Sequence, residues 1–181
     1  MLHHSLTKDG KVVDTVAIKR YHTSWRYNGM IITEDEARDL IGKGIHGVIA
    51  PWKDIGYQWT IERVEGIVHT IEGRSMEEDG AHCKEGNMNR QSIGICLVGN
   101  YNKVDENREP AGSGPPDKEM LIALGRLITR LYDDGAWKPP TIKSYDLMSF
   151  IFGHRDFARY KLCPGSAFDI DALKQLAHEY F

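Results

Sequence analysis

The sequence has 181 residues, 41% hydrophobic and 27% charged, with a net charge of −3 and a pI of about 6.2. That is enough chain for one folded domain with a real core, and we expect residues 1–181 to form a single domain. No stretch interleaves Lys/Arg clusters with aromatics, so nucleic acid and anionic lipid are not expected partners.

The first residues read as the end of a short strand, with only Met1 and Leu2 before the pair His3-His4. The opening MLHHSLTKDG lacks a basic region followed by an apolar core, and no apolar run is as long as a membrane span. We therefore expect synthesis in the cytoplasm without a signal peptide and no membrane insertion. Asp14 to Trp25 reads as a helix with Val16, Ile18 and Tyr21 among its apolar positions. Thr33 to Leu40 reads as a second, where Thr33-x-x-Glu36 fits a capping box and Gly42 and Gly44 stop it. The segments 56–63 and 66–73 are rich in aromatic and β-branched residues and predict a hairpin. Ser92 to Gly99 is a short apolar run that suits a strand buried on both faces. Residues 102–116 are polar and rich in Gly and Pro, which predicts a surface loop.

A helix then starts at the N-cap Asp117, with Met120, Leu124, Leu127, Ile128 and Leu131 on one face, and stops at Asp134-Gly135. Leu147 to Gly153 is a further apolar run, read as a strand. Asp169 to Tyr180 is read as a closing helix. Strands and helices are interspersed, so the expected class is α/β with a central mixed sheet flanked by helices.

Eight histidines and three cysteines are the candidate metal donors. The odd, irregular cysteine count is no disulfide framework. His154 follows an apolar run, which puts an imidazole at a strand end. Cys163 lies nine positions on, in the rigid turn Lys161-Leu162-Cys163-Pro164-Gly165. Two nitrogens, one sulfur and a water would suit catalytic zinc. Cys96, inside an apolar strand, reads as a small buried hydrophobe. Cys83, next to His82, reads as an inert or partly exposed thiol.

In order along the chain stand Leu2-His3-His4-Ser5, Ile18-Lys19-Arg20-Tyr21-His22, Trp52-Lys53-Asp54-Ile55-Gly56-Tyr57, Gly73-Arg74, Gly80-Ala81-His82, Asn87, Ser92 to Gly99, Gly153-His154-Arg155-Asp156 and Lys161 to Gly165. This ordered set resembles the zinc-dependent N-acetylmuramoyl-L-alanine amidases, a family that includes amidase-type phage lysozymes, muropeptide-recycling amidases and animal peptidoglycan recognition proteins. The likeness is greatest to phage endolysins.

The resemblance implies zinc as cofactor and bacterial peptidoglycan as partner. It implies cleavage of the amide between N-acetylmuramic acid and L-alanine by zinc-activated water. His3, His154 and Cys163 take the ligand positions. His4 and His22 compete for the first, but on a strand His4 would point to the opposite face, and His22 closes the first helix. Tyr57 and Lys161 take catalytic positions, and His82 and Asn87 fall where relatives line the substrate groove.

The chain departs from relatives in its long stretch between Trp25 and Trp52, in Gln58 where they often have His, and in Cys96 where recycling amidases place a catalytic Glu. A phage or prophage endolysin, monomeric and released through a membrane hole, is the expected setting, and an effector secreted by a dedicated machine would look the same in sequence. A non-catalytic peptidoglycan-binding module of the same fold is the alternative, disfavoured because Cys163 is present. A muramidase would need a carboxylate pair, and none stands in a motif.

Overall fold

Three parallel strands and one antiparallel strand make the central sheet. The computed structural model describes residues 1–7, 14–103, 112–136, 149–173 and 175. In chain order the elements are β1 (Leu2–His4), α1 (Asp14–His22), β2 (Trp25–Tyr27), β3 (Met30–Ile32), α2 (Glu34–Gly42), β4 (Trp59–Val64), β5 (Ile67–Glu72), α3 (Met88–Gln91), β6 (Ile95–Leu97) and α4 (Lys118–Asp133). This is an α/β fold with a mixed sheet flanked by helices.

β6 lies between β1 and β4, parallel to both, and all three of its side chains are buried. Its register sets His3 opposite Cys96, and Cys96 opposite Thr60. Strand side chains alternate between faces, so His3, Cys96 and Thr60 share one face while their neighbours share the other. The second face is apolar. Leu2, Ile95, Leu97, Trp59 and Ile61 pack there against Leu124, Leu127 and Leu131 of α4. All five apolar positions predicted for α4 are buried, and the Asp117 carboxylate accepts from Met120 N at 3.0 Å. β4 and β5 join through Glu65-Gly66, both at positive φ, the conformation that fits a two-residue hairpin turn to twisted strands.

The other face is polar, and it carries α1. Thr15 Oγ1 meets Thr60 Oγ1 at 2.5 Å, and Thr15 N donates to Glu62 Oε2 at 3.0 Å. The side of α1 that is buried therefore consists of Asp14, Thr15 and His22, and Val16, an expected core position, is 65% exposed. The apolar spacing of α1 misleads because the surface beneath it is polar. α1 also ends at His22, short of Trp25. The Thr23 and Ser24 hydroxyls fold back onto Lys19 O and Arg20 O, and Trp25 instead pairs with Ile32.

The long stretch before Trp52 holds the β2–β3 pair and α2. The capping box of α2 is present in both halves, Thr33 N to Glu36 Oε2 at 2.7 Å and Glu36 N to Thr33 Oγ1 at 3.2 Å. Arg26 pins this unit inward, buried between the rings of Tyr21 and Trp52.

The strand expected over Leu147–Gly153 is not found among the described residues. Residues 149–150 are a single 3-10 turn, and Gly153 makes one isolated parallel bridge to Leu2. The chain leaves the sheet there because the Asp156 carboxylate takes Gly153 N at 2.8 Å and turns it into a 3-10 helix, His154–Asp156. Residues 147–148 and most of the expected loop over 102–116 (104–111) lie outside the described residues. So does the expected closing helix past 175; helical residues 170–173 are its start. No described helix is long and apolar enough to cross a membrane.

Candidate metal centre

Three separate segments bring His3, His154 and Cys163 together. β1 supplies His3 on the polar face. The 3-10 turn after Gly153 supplies His154, and the loop that follows supplies Cys163. One donor atom from each lies within 4.8 Å of the others. The loop is fastened from within. Arg155 N donates to Cys163 O at 3.1 Å, and the Arg155 guanidinium holds Gly165 O at 2.7 Å and Phe168 O at 3.1 Å. The Cys163 thiol rests against His4 O at 3.9 Å, which ties the loop to β1.

The donors suit a zinc ion. Ligands at about 2.0 Å for nitrogen and 2.3 Å for sulfur lie roughly 3–4 Å apart around a tetrahedral ion, a short contraction from this spacing. His3 is 1% exposed, and burial, aided by His82 and His154, holds its pKa well below the usual value. A neutral imidazole has the free lone pair a metal needs. Burial also lowers His154, with the Lys161 ammonium adding to it. Burial pushes the half-buried Cys163 thiol up, so binding a cation would have to draw off its proton.

His82 stands directly behind His3, Nδ1 to Nε2 at 3.2 Å. It is buried, and burial lowers its pKa to about 3. A Cβ on Gly94 would fall 2.7 Å from His82 Cγ, so only glycine leaves room for the ring. Asn89 Oδ1 accepts from both His82 N and Cys83 N at 2.7 Å. Asn87 is exposed, in the left-handed region before α3. Sequence reasoning passes over Asn89, whose side chain is the one that shapes the His82 loop.

Tyr57 is half-buried just ahead of β4, its ring 5.1 Å from that of His3. Burial raises its hydroxyl pKa well above the ordinary value, and Cys96 and Cys163 add to the rise. Lys161 is exposed, with its ammonium 5.4 Å above the Tyr160 ring. Cys96 is fully buried beside His3 in the sheet, under the site. The two rival histidines sit elsewhere. His4 is on the opposite face and accepts from Tyr101 N at 3.2 Å. His22 accepts from Gly56 N at 3.0 Å and stacks on Trp52. Beside Tyr57 a cavity of about 390 Å³ opens between β1 and α1, lined by Ser5, Ile18, Tyr21 and His22.

One family spans nearly all of this. Residues 1–166 match the family described as N-acetylmuramoyl-L-alanine amidase, a span that takes in His3, Tyr57, His154, Lys161 and Cys163. The chain belongs to that family. Among solved structures, bumblebee PGRP-SA is 24% identical with a TM-score of 0.45, over 74% of this chain and 60% of that one. A point mutant of Drosophila PGRP-LB in complex with tracheal cytotoxin is 24% identical with a TM-score of 0.47, over 92% and 73%. Wild-type Drosophila PGRP-LB is 23% identical with a TM-score of 0.46, over 92% and 79%. The chain thus spans less than two thirds of the bumblebee protein. No curated protein matches it.

A second cluster borders this one and was not foreseen from sequence. Cys83, Glu85 and His154 also bring donor atoms within 4.8 Å of one another. Tyr160 donates to Glu85 Oε1 at 2.5 Å, and this bond is the first cause that pulls the Glu85 carboxyl down to about 2.

Proposed function

We propose that this chain is a zinc-dependent N-acetylmuramoyl-L-alanine amidase that cuts the amide between N-acetylmuramic acid and L-alanine of peptidoglycan. The observation that carries the reading is the convergence of His3, His154 and Cys163 from three segments of a member of this family. These three residues would hold the ion. When bound, zinc supplies an activated water and polarises the scissile carbonyl.

The chain's own residues would do the rest. The raised pKa of Tyr57 keeps its phenol protonated at neutral pH, so it acts as a hydrogen-bond donor toward the attacking water or the tetrahedral oxygen. The Lys161 ammonium, on the loop that carries Cys163, donates to the developing oxyanion. A preorganised donor of this kind is worth about 3–4 kcal/mol. The cavity beside Tyr57 would seat the substrate near Ser5 and Tyr21.

We place the protein, as a single catalytic domain and a monomer, among phage or prophage endolysins released to the wall through a membrane hole. Cys96 supports this, because it stands where recycling amidases carry a catalytic Glu. Digestion of purified sacculi with and without chelator tests the reading. Free L-alanine amino termini that vanish on chelation and return with zinc are expected. New reducing ends would mean a glycosidase, and unchanged sacculi a binding module; either result overturns the proposal.

A further inference from the structure

Glu85 begins the 3-10 turn Glu85–Asn87, three residues after His82. Its carboxylate reaches three groups. Oε2 is 3.7 Å from His154 Nε2 and 3.6 Å from Cys83 Sγ, and Oε1 accepts from the Tyr160 hydroxyl. His154 Nε2 is buried without a hydrogen-bond partner, and Glu85 is the acid that faces it. The Tyr160 ring in turn lies beneath Lys161 Nζ. One carboxylate therefore touches a proposed metal ligand and, through one ring, the support of the proposed catalytic lysine.

We propose that Glu85 is a positioning residue of the metal centre: it accepts the Nε2–H of His154, turns that ring's other nitrogen toward His3 and Cys163, and holds Tyr160 in place under Lys161. The inference rests on the amidase reading above. A neutral imidazole carries a single N–H, and which nitrogen bears it is set by the bond the other makes. With Nε2–H committed to a carboxylate, the tautomer and the ring plane are both fixed, and the free lone pair is the better donor to a cation. The 3.7 Å separation is longer than a hydrogen bond, and a small tilt of the ring would bring it within range. Glu85 would not leave for another partner, because Tyr160 anchors its second oxygen. Cys83, Glu85 and His154 could alternatively hold an ion of their own, which would make Glu85 a ligand.

The test uses the full chain and its Glu85→Ala, Glu85→Gln and Tyr160→Phe variants. Zinc stoichiometry, zinc affinity by competition with a chromophoric chelator, and kcat and KM on a muropeptide are measured on each. We expect one zinc per wild-type chain and a loss of about 10–100-fold in zinc affinity in Glu85→Ala. Glu85→Gln should recover most of that loss, because its amide oxygen still accepts. Tyr160→Phe should keep zinc affinity within about threefold and lower kcat about 10-fold at unchanged KM, a split expected when only a transition-state contact is lost. Thermal unfolding of the metal-free chains should be unmoved, which separates positioning from folding; should Glu85→Ala not fold, the other two variants carry the test. Wild-type zinc affinity in both Glu85 variants overturns the proposal and leaves the amidase reading intact. Two zinc ions per wild-type chain, falling to one in Glu85→Ala, overturns it in favour of a second ion. A wild-type chain that binds no zinc overturns the amidase reading and this inference together.

Discussion

The two faces of the central sheet are made by the same strands and do opposite work. On one, Leu2, Ile95, Leu97, Trp59 and Ile61 meet α4 in an apolar layer. On the other, His3, Cys96, Thr60 and Glu62 meet α1 and the loop that ends at Cys163, in a buried polar layer. Alternation along β1, β6 and β4 is all that separates them. The apolar face gains its free energy from burial, at about 25 cal/mol per Å² of apolar surface. The polar face spends stability on desolvating titratable groups, and that same burial keeps its histidines neutral.

The contrast breaks most visibly at Cys163. We expect Cys163→Ala to lose zinc and to lower sacculus cleavage by more than the roughly 100-fold seen for loss of a supporting partner, while urea unfolding of the metal-free chain barely changes. A variant that still binds zinc at wild-type affinity would remove Cys163 from the centre. Leu124→Ala probes the other face and should cost about 2–5 kcal/mol in urea unfolding, with zinc stoichiometry intact in the folded fraction. If zinc binding falls with it, the two faces are not independent. Lys161→Ala sharpens the division within the polar side. It should hold zinc at wild-type affinity and lose about 10²–10³ in kcat, and unchanged turnover would cancel its role.

Acid should strike the polar face first. Burial lowers His22 to about 4 and His82 to about 3. An unfolded histidine titrates at about 6.5, so between those values the unfolded chain binds more protons. The stability these neutral rings contribute is complete above about pH 6.5, drains as pH falls, and is gone below their folded pKa values. The metal-free chain should show a falling urea midpoint from pH 7 to pH 4, with a shallower fall in His22→Gln; equal slopes would show that His22 takes no part. His4, on the apolar face, is lowered to about 4 as well, chiefly by burial. The smallest effect lies off both faces. Thr33→Ala should cost about 1 kcal/mol through the capping box of α2 and leave zinc binding and cleavage untouched.

What was legible in the sequence follows the same division. The α4 stripe, the hairpin and the α2 cap each rest on local rules that read directly from residue spacing. The apolar face is what periodicity detects, so it gives the buried side of α4 but not that of α1, a helix where expected but docked on Thr60 and Glu62. Residues 149–153 are apolar and strand-like, yet a carboxylate three positions past Gly153 ends the run after one bridge. The convergence of His3, His154 and Cys163 came from the order of motifs, since their separations along the chain carry no geometry. Asn89 and Glu85 had no motif to announce them. Their roles depend on which loops meet in space, and only the fold supplies that.

β1 is three residues long and lies between β6 on one side and a single bridge to Gly153 on the other. Its residues are read by the sheet much as codons are read in frame. A slip of one residue in its pairing with β6 would turn His4 to the centre and His3 to the oily side. In any library built on this scaffold the spacing from Leu2 to Ser5 has to be kept fixed.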